Sequence, residues 1–294
     1  MKKLFSGNLS GILTFLVLSL SFTACQKVND LVDKLKDKNE KNDIPGIIFY
    51  ALEGNKLDKY STSYPEKVMS SSSITGLQEG EMILGIDFRP ATGELYALGS
   101  KNRIYVINPS TGNAMFVAAL TTIPMGSTTA VPLALSGSSF GFDFNPVVDR
   151  IRIVSNTGQN LRAHPTTGLT IVDGSINPQP SWVNGVAYDN NDQDTSTTTE
   201  LYALDVSSDK LFEIDPPNNG TLIEPLAIDR NIMGHGGFDI APRNSSVTTD
   251  IGLALYEINK ASTLLRIDVE TGETKVLALY YHKMYTGLAI SPLR

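Results

Sequence analysis

The stretch Gly85-Ile86-Asp87-Phe88 decides the fold, because variants of it recur four more times along the chain. Each copy begins with a glycine and continues with an apolar residue, a small or acidic residue and a second apolar residue. The other copies are Gly141-Phe142-Asp143-Phe144, Gly185-Val186-Ala187-Tyr188, Gly237-Phe238-Asp239-Ile240 and Gly287-Leu288-Ala289-Ile290. Their spacing of 44 to 56 residues is typical of a four-stranded β-propeller blade that carries some long loops.

Each copy is followed by further β-rich segments in a constant order. A second strand is predicted at residues 94–98 and again at 200–204, and a third strand is predicted at residues 103–107. The turn Pro109-Ser110-Thr111-Gly112 follows, and its glycine supplies the positive φ that a short hairpin needs. A fourth strand at residues 114–120 completes the unit, so each repeat predicts one blade.

The two ends of the chain predict how the ring closes. The fifth copy has room for a first strand only, because the chain stops at Arg294. Residues 47–52, 56–60 and 67–72 supply three more strands, and Tyr50-Ala51-Leu52 matches the second-strand motif Tyr96-Ala97-Leu98. We therefore predict an all-β protein, a five-bladed β-propeller closed by both termini. A six-bladed ring with one degenerate blade is the alternative, and an open solenoid or a sandwich is a more distant one.

A family resemblance supports the repeat interpretation. From about Leu84 to its end the chain resembles a bacterial family catalogued as domain of unknown function 4394. The resemblance is carried by GIDFRPATGELYALGSKNRIYVINPSTG at residues 85–112, by GFDFNPVVDRIRIVSNTGQNLRAHPTTG at residues 141–168 and by residues 216–222. The family implies a propeller-like repeat domain and lends no activity, cofactor or catalytic residue.

The first 24 residues predict a lipoprotein signal peptide. Lys2 and Lys3 make a basic start, and residues 12–22 form an apolar stretch that is too short to span a bilayer. The only cysteine, Cys25, follows in a segment that resembles a bacterial lipobox, in which this thiol is acylated. Phe22 stands where lipoboxes usually have leucine, so plain secretion with a free Cys25 thiol is the alternative.

These features predict the cellular location of the protein and the division of its chain into segments. Residues 25–45 mix Lys, Asp, Asn and Glu with few apolar residues and predict a flexible tether. Residues 46–294 then form a single propeller domain, which we expect to be a monomer. The expected location is the bacterial cell envelope, with a lipid anchor in the outer membrane and the domain facing the periplasm or the cell surface. The net charge of −7 without a basic cluster argues against a nucleic-acid partner.

Candidate ligand-binding residues lie in the segments that lead into the first strand of each blade. These segments gather at one mouth of the predicted channel and contain Trp182, Asn184, His235 and Tyr285. Trp182 could stack on a sugar or another flat ligand, or it could pack between blades. His235 could act as a base or ligand, or it could only brace its loop.

Three aspartates are candidate metal ligands. Asp87, Asp143 and Asp239 hold the third place of the repeated unit, where the other two copies have alanine. In a ring these positions lie at one depth around the channel, so the carboxylates would need a cation such as calcium, a shared proton or hydrogen-bond donors. Alternatively, each aspartate caps backbone N–H groups of a neighbouring strand, far from the other two.

Two classes of function follow. The leading interpretation is a non-enzymatic envelope module without a cofactor that binds a protein, a glycan or a small ligand. The alternative is a hydrolase or lyase with a divalent cation in the channel, although no nucleophile elbow, Walker loop or Cys/His zinc set is present. Arg150, Arg152 and Arg162 alternate along predicted strands and either bind an anion or pair with surface acids.

Overall fold

The computed structural model of the protein describes residues 46–191, 196–243 and 249–292. The described part consists of β-strands and one short 3-10 helix, Pro217–Asn219. The predicted signal peptide, Cys25 and the tether at residues 25–45 lie outside the described residues. Within the described ranges, no helix is long and apolar enough to cross a membrane.

Five antiparallel sheets of four strands each, here called blades, make up the fold. The chain begins with three strands of blade 5, which are β1 (Ile48–Glu53), β2 (Lys56–Ser61) and β3 (Ser70–Ser73). Blade 1 contains β4 (Ile83–Phe88), β5 (Leu95–Gly99), β6 (Arg103–Ile107) and β7 (Ala114–Ala119), and a small hairpin of β8 (Thr121–Thr122) and β9 (Val131–Pro132) follows it. Blade 2 contains β10 (Phe140–Asn145), β11 (Arg150–Ser155), β12 (Asn160–Ala163) and β13 (Thr170–Val172).

The remaining strands complete the ring. Blade 3 contains β14 (Val183–Tyr188), β15 (Leu201–Asp205), β16 (Lys210–Ile214) and β17 (Leu222–Ala227). Blade 4 contains β18 (Met233–Ile240), β19 (Ile251–Ile258), β20 (Ala261–Asp268) and β21 (Thr274–Tyr280). The last strand, β22 (Gly287–Ile290), pairs antiparallel with β1 and becomes the inner strand of blade 5.

The five inner strands β4, β10, β14, β18 and β22 each carry one copy of the repeated unit. Each inner strand contacts the inner strands of the two adjacent blades, including β22 with β4, so the ring is closed. The predicted five blades and the composite blade 5 are therefore confirmed, and the six-bladed alternative is wrong. We call the end of the channel where these strands begin the mouth, and the other end the far end.

Glycine at the first place of the unit lets adjacent inner strands approach closely. A Cβ on Gly141 would lie 2.8 Å from the backbone nitrogen of Val186 in blade 3, and one on Gly85 would lie 2.7 Å from Cβ of Phe142 in blade 2. As a result the channel is nearly filled at this level. The repeated units enclose a cavity of only about 10 Å³, which is about the space of one water molecule.

The core lies between the blades. In the cluster between blades 1 and 2, Tyr96 and Leu98 of β5 face Phe142 and Phe144 of β10, and all four side chains are buried. Burying a side chain of this size stabilises the fold by roughly 1.5–3 kcal/mol. Since each blade supplies one face to each of two such clusters, every inner strand is packed between its neighbours around the channel.

Candidate functional site

Three carboxylates meet in the channel. Asp87 on β4, Asp143 on β10 and Asp239 on β18 are all buried, with at most 4% of each residue exposed. One oxygen from each of them lies within 4.8 Å of the others. We call Asp87, Asp143 and Asp239 the channel triad. The prediction that they lie at one depth around the channel is confirmed.

Each aspartate of the triad also joins its blade to the next one. The backbone N–H groups of the next blade donate to the triad as follows: Phe144 to Oδ2 of Asp87 at 2.8 Å, Tyr188 to Oδ2 of Asp143 at 2.8 Å, and Ile290 to Oδ2 of Asp239 at 2.6 Å. All three donors hold the fourth place of the repeated unit. The capping role predicted for the aspartates is therefore confirmed, while the expectation that caps would keep them far apart is wrong.

The electrostatics of the triad are unfavourable for three full charges. Burial raises the pKa of each aspartate, and repulsion from Asp239 raises the pKa of Asp87 further. The Oδ1 atoms of Asp143 and Asp239 are buried and have no hydrogen-bond partner among the described residues. Two buried oxygens without donors are costly. The arrangement thus favours a shared proton or a hard cation, which prefers oxygen ligands.

Large apolar side chains surround the mouth of the channel. Met82, Trp182 and Met284 lie just before the inner strands of three blades, and Met233 is the first residue of β18. Each of the four residues is between 44% and 77% exposed. We call these four residues the mouth ring. Trp182 is not enclosed between blades, because 44% of it is exposed. The methionines were not singled out by the sequence analysis, although Met82, Trp182 and Met284 all stand three places before the glycine of a repeated unit.

Of the other ligand candidates, His235 lies exposed at the mouth, whereas Asn184 lies buried inside the channel. The Asn184 amide donates to Oγ of Ser139 in blade 2 at 3.0 Å and to the carbonyl of Gly234 in blade 4 at 2.8 Å. Its oxygen accepts the hydroxyl of Tyr256 at 3.2 Å. Asn184 therefore uses its polar atoms to connect three blades.

The sequence can now be placed in a family. The profile of the family described as "Domain of unknown function (DUF4394)" matches residues 56–289, which is most of the propeller. The chain belongs to this family. The match to DUF4394 agrees with the repeated units, since it spans four of the five completely and ends within the fifth.

Solved structures similar to this DUF4394 member are distant. A chain of a nidogen/laminin complex is 11% identical and aligns over 84% of this chain and 98% of that one, with a TM-score of 0.49. A chain of a mitotic checkpoint complex is 7% identical over 85% of this chain and 84% of that one, with a TM-score of 0.45. A protein of unknown function from Bacteroides thetaiotaomicron is 13% identical over 74% of this chain, which spans 53% of that protein, with a TM-score of 0.44. All three TM-scores are below 0.5, and no curated protein matches the chain.

The last ligand candidate, Tyr285, has a structural position in this DUF4394 propeller. Its hydroxyl donates to Oδ2 of Asp58 on β2 at 2.8 Å and lies 2.6 Å from the hydroxyl of Tyr60. The ammonium of Lys283 lies 2.8 Å from the same Asp58 oxygen and 3.0 Å from Glu53. We call Glu53, Asp58, Tyr60, Lys283 and Tyr285 the closure cluster, because it ties the first two strands to the segment before β22.

The neighbours of Asp58 in the closure cluster stabilise the negative charge of this buried carboxylate. Although burial opposes it, hydrogen bonds from Lys283, Ser71 and Tyr285 hold the pKa of Asp58 below its usual value. The sequence candidates therefore separate into three places. Trp182 and His235 are at the mouth, Asn184 is inside the channel, and Tyr285 is in the closure cluster.

Proposed function

We propose that this protein is a lipid-anchored module of the cell envelope that binds another envelope protein through the mouth ring. The observation that supports this function is the exposure of Met82, Trp182, Met233 and Met284 around one end of a closed channel. Exposed apolar clusters mark interaction sites, methionine adapts to varied partner surfaces, and tryptophan is enriched among the residues that dominate binding.

The anchor explains how such a module would meet its partner. Acylation of Cys25 would hold the domain at the membrane, because each buried CH2 of an acyl chain contributes about 0.8 kcal/mol. A tether of residues 25–45 would let the mouth ring turn toward a partner in the same envelope. The propeller itself would then need no surface of its own for the bilayer.

The binding function is tested by changing the mouth ring without touching the core. A variant with Met82→Ser, Trp182→Ser and Met284→Ser should lose a partner that the wild type retains after cross-linking in intact cells. Met125→Ser is the matched control, because Met125 is fully exposed but lies outside the mouth ring. If the same partner is cross-linked by the triple variant and by the wild type, the mouth ring is not the binding surface.

The anchor is tested separately. Cys25→Ala should move the protein from the detergent phase to the aqueous phase in a phase-partition assay, because it removes the acylated thiol. The mouth-ring variant should stay in the detergent phase, so the two results are independent. A wild-type protein that is already found in the aqueous phase would contradict lipid anchoring.

A divalent cation in the channel triad is the second candidate. The unpartnered Oδ1 atoms of Asp143 and Asp239 support it, because a cation would satisfy both. Such a cation would have a structural role, since the cavity of about 10 Å³ beside it leaves no room for the substrate of a hydrolase or lyase. The residues of the triad therefore fit a cation better than they fit catalysis.

The cation is tested with calcium, magnesium and a chelator. A bound ion should raise the melting temperature and appear in the metal content of the purified protein. Asp239→Asn should abolish both effects, while Ala289→Ser, at the equivalent place of blade 5, should leave them unchanged. If neither metal shifts the melt of the chelator-treated wild type, the triad holds no divalent cation.

A further inference from the structure

A basic cleft lies between blades 2 and 3 at the far end of the channel, on the side opposite the mouth ring. It has a volume of about 190 Å³. We call it the arginine cleft, because Arg150, Arg152 and Arg162 line it together with Val148, Tyr188 and Asn218. The three arginines come from β11 and β12 of a protein whose net charge is −7.

The carboxylates near the arginine cleft do not neutralise it. Asp173 pairs with Arg152 at 2.8 Å and with Arg162 at 2.6 Å, so one acid serves two arginines. Arg150 donates only to the backbone carbonyls of Val148 and Asp149 among the described residues. The carboxylate of Asp149 is already engaged in a two-point contact with Arg89. Two of the arginines thus pair with an acid as predicted, although the side chain of that acid, Asp173, is only 5% exposed and is not at the surface. The predicted pairing is wrong for Arg150.

The arginines also stand in an arrangement that needs compensation. Arg152 and Arg162 are directly opposite each other in the pairing of β11 with β12. Like charges in such a cross-strand pair destabilise a sheet. An acid on either strand would remove the repulsion, yet here the cleft gathers a third arginine, Arg150, two places along β11 on the same face.

One of the three guanidinium groups is fixed in place before any ligand arrives. Arg152 is buried, and it donates to Oδ1 of Asn160 at 2.7 Å, to Oδ1 of Asn218 at 3.0 Å and to the hydroxyl of Tyr188 at 3.3 Å, besides its ion pair with Asp173. By contrast, Nη1 of Arg162 and both Nε and Nη2 of Arg150 donate no hydrogen bond within the described residues. Arg152 therefore supplies a fixed positive charge, and its two neighbours supply unused donors.

We propose that the arginine cleft binds a small oxyanion, the carboxylate or phosphate group of a ligand. Planar guanidinium groups bind such oxyanions through paired, charge-assisted hydrogen bonds. Arg150 and Arg162 supply the direct contacts to the oxyanion, and the buried Arg152 lies beneath them as a fixed positive charge. This site is independent of the mouth ring and of the partner that the mouth ring binds.

Titration calorimetry with inorganic phosphate, glucuronate and neutral glucose tests the proposal. The wild-type protein should bind phosphate or glucuronate and should not bind glucose, and added salt should weaken the binding. Binding of phosphate alone would identify a phosphorylated ligand, and binding of glucuronate alone would identify an acidic sugar. No binding of either oxyanion into the millimolar range would overturn the proposal.

Variants connect the binding to the cleft. Arg150→Gln should weaken oxyanion binding by about tenfold, the loss expected for one charge-assisted contact. Val148→Asp should have a similar effect by placing a negative charge on an exposed part of the cleft wall, and it removes no hydrogen bond of a side chain. Arg230→Gln is the control, because Arg230 pairs with Asp229 outside the cleft. Equal affinity in the wild type, Arg150→Gln and Val148→Asp would show that the oxyanion binds elsewhere.

Discussion

The channel triad and the closure cluster are two ways in which the same ring buries carboxylates. In the closure cluster, Asp58 is surrounded by an ammonium group and hydroxyl groups, and its pKa falls below the usual value. In the triad, the neighbours of each carboxylate are backbone N–H groups and two more carboxylates, and all three pKa values rise. One region stabilises the charged form of its acid, and the other stabilises the neutral form.

The difference follows from what each region joins. The closure cluster joins segments more than 220 residues apart in sequence, where opposite charges can be supplied from the two ends of the chain. The triad arises from a repeated unit, so the same residue type arrives from three blades at the same depth. A repeated unit places the same capping aspartate in several blades, but it places no positively charged residue beside those aspartates.

The largest expected effect comes from removing the closure cluster together with its strands. A chain that begins at Gly80 lacks β1–β3, which leaves β22 and its neighbours with unpaired edges. We expect it to aggregate or to lose its cooperative thermal transition. A chain that begins at Gly46 is the control and should melt as a single transition. A Gly80 chain that stays monomeric and melts like the control would contradict closure by both termini.

Removing only the compensating charge should have the next largest effect. Lys283→Met takes the nearer ammonium from the buried Asp58 and leaves Lys56, which lies 3.7 Å from Oδ1. Because Lys283 is 27% exposed, we expect a loss of about 2–3 kcal/mol of unfolding free energy, the range for a hydrogen bond to a charged group. Adding Asp58→Asn should recover part of the loss, because the buried charge disappears. Chemical denaturation of the single and double variants measures both effects. If the single variant is as stable as the wild type, Lys283 does not compensate Asp58.

The triad should show the opposite dependence on pH from the closure cluster. Burial raises the pKa of Asp239 to about 7 from an ordinary value of 3.8. The stability that this group contributes is therefore complete below about pH 4 and is lost as the pH rises through 7. In the presence of a chelator we expect a loss of roughly 2–4 kcal/mol between pH 5 and 8.

The variant Asp239→Asn tests the share of Asp239, because it keeps an oxygen for the Ile290 cap and removes the titration of this one carboxyl. Its unfolding free energy should vary less between pH 5 and 8 than that of the wild type, and the variation that remains comes from Asp87 and Asp143, whose pKa values burial also raises. The contribution of Asp58 runs the other way, since its lowered pKa means that stability is lost only as the pH falls below about 4. Parallel pH profiles for the wild type and Asp239→Asn would show that Asp239 does not titrate in this range.

The smallest expected effect tests how tightly the blades meet above the triad. Gly141→Ala brings a Cβ to 2.8 Å from the backbone nitrogen of Val186, whereas Gly287→Ala places it 3.3 Å from the side chain of Leu52. Because backbone yields less than a side chain, Gly141→Ala should cost about 1–3 kcal/mol and Gly287→Ala less than about 1 kcal/mol. Thermal melts compare the two variants directly. If the two variants lose the same unfolding free energy, blades 2 and 3 can move apart enough to accommodate the added Cβ.

The sequence predicts those parts of the molecule that repeat or that follow from local periodicity. The five units, the composite blade and the common depth of the three aspartates are visible because glycine spacing and strand alternation are local properties. The strand at residues 222–227 in blade 3 and the β8–β9 hairpin were not predicted, because neither follows the repeated pattern.

Contacts between segments that are distant in the chain could not be predicted from the sequence. The pairing of Lys283 with Asp58 and the single acid shared by Arg152 and Arg162 depend on how blades and chain ends meet in space. The exposure of Trp182 also depends on its surroundings, since a tryptophan fits a core or a binding surface equally well. For these residues, a packing role and a binding role can be distinguished only from the neighbouring residues in the folded structure.

The caps of the triad also divide the ring into two arcs. Carboxylate caps cross from blade 1 to 2, from 2 to 3 and from 4 to 5, but blades 3 and 5 carry Ala187 and Ala289 at the capping place. At those two seams side-chain amides donate instead, from Asn184 to the carbonyl of Gly234 and from Asn55 to the carbonyl of Glu81. Between blades 3 and 4, Asp209 also accepts the backbone N–H of Ile232 at 3.0 Å, outside the triad. These two seams therefore lack the buried cap that the triad gives to the other three, and a hydrogen bond of this kind contributes about 0.5–1.5 kcal/mol. Partial opening of the propeller, followed by hydrogen exchange, should therefore begin at these two seams and release blades 1–3 and blades 4–5 as separate cooperative units.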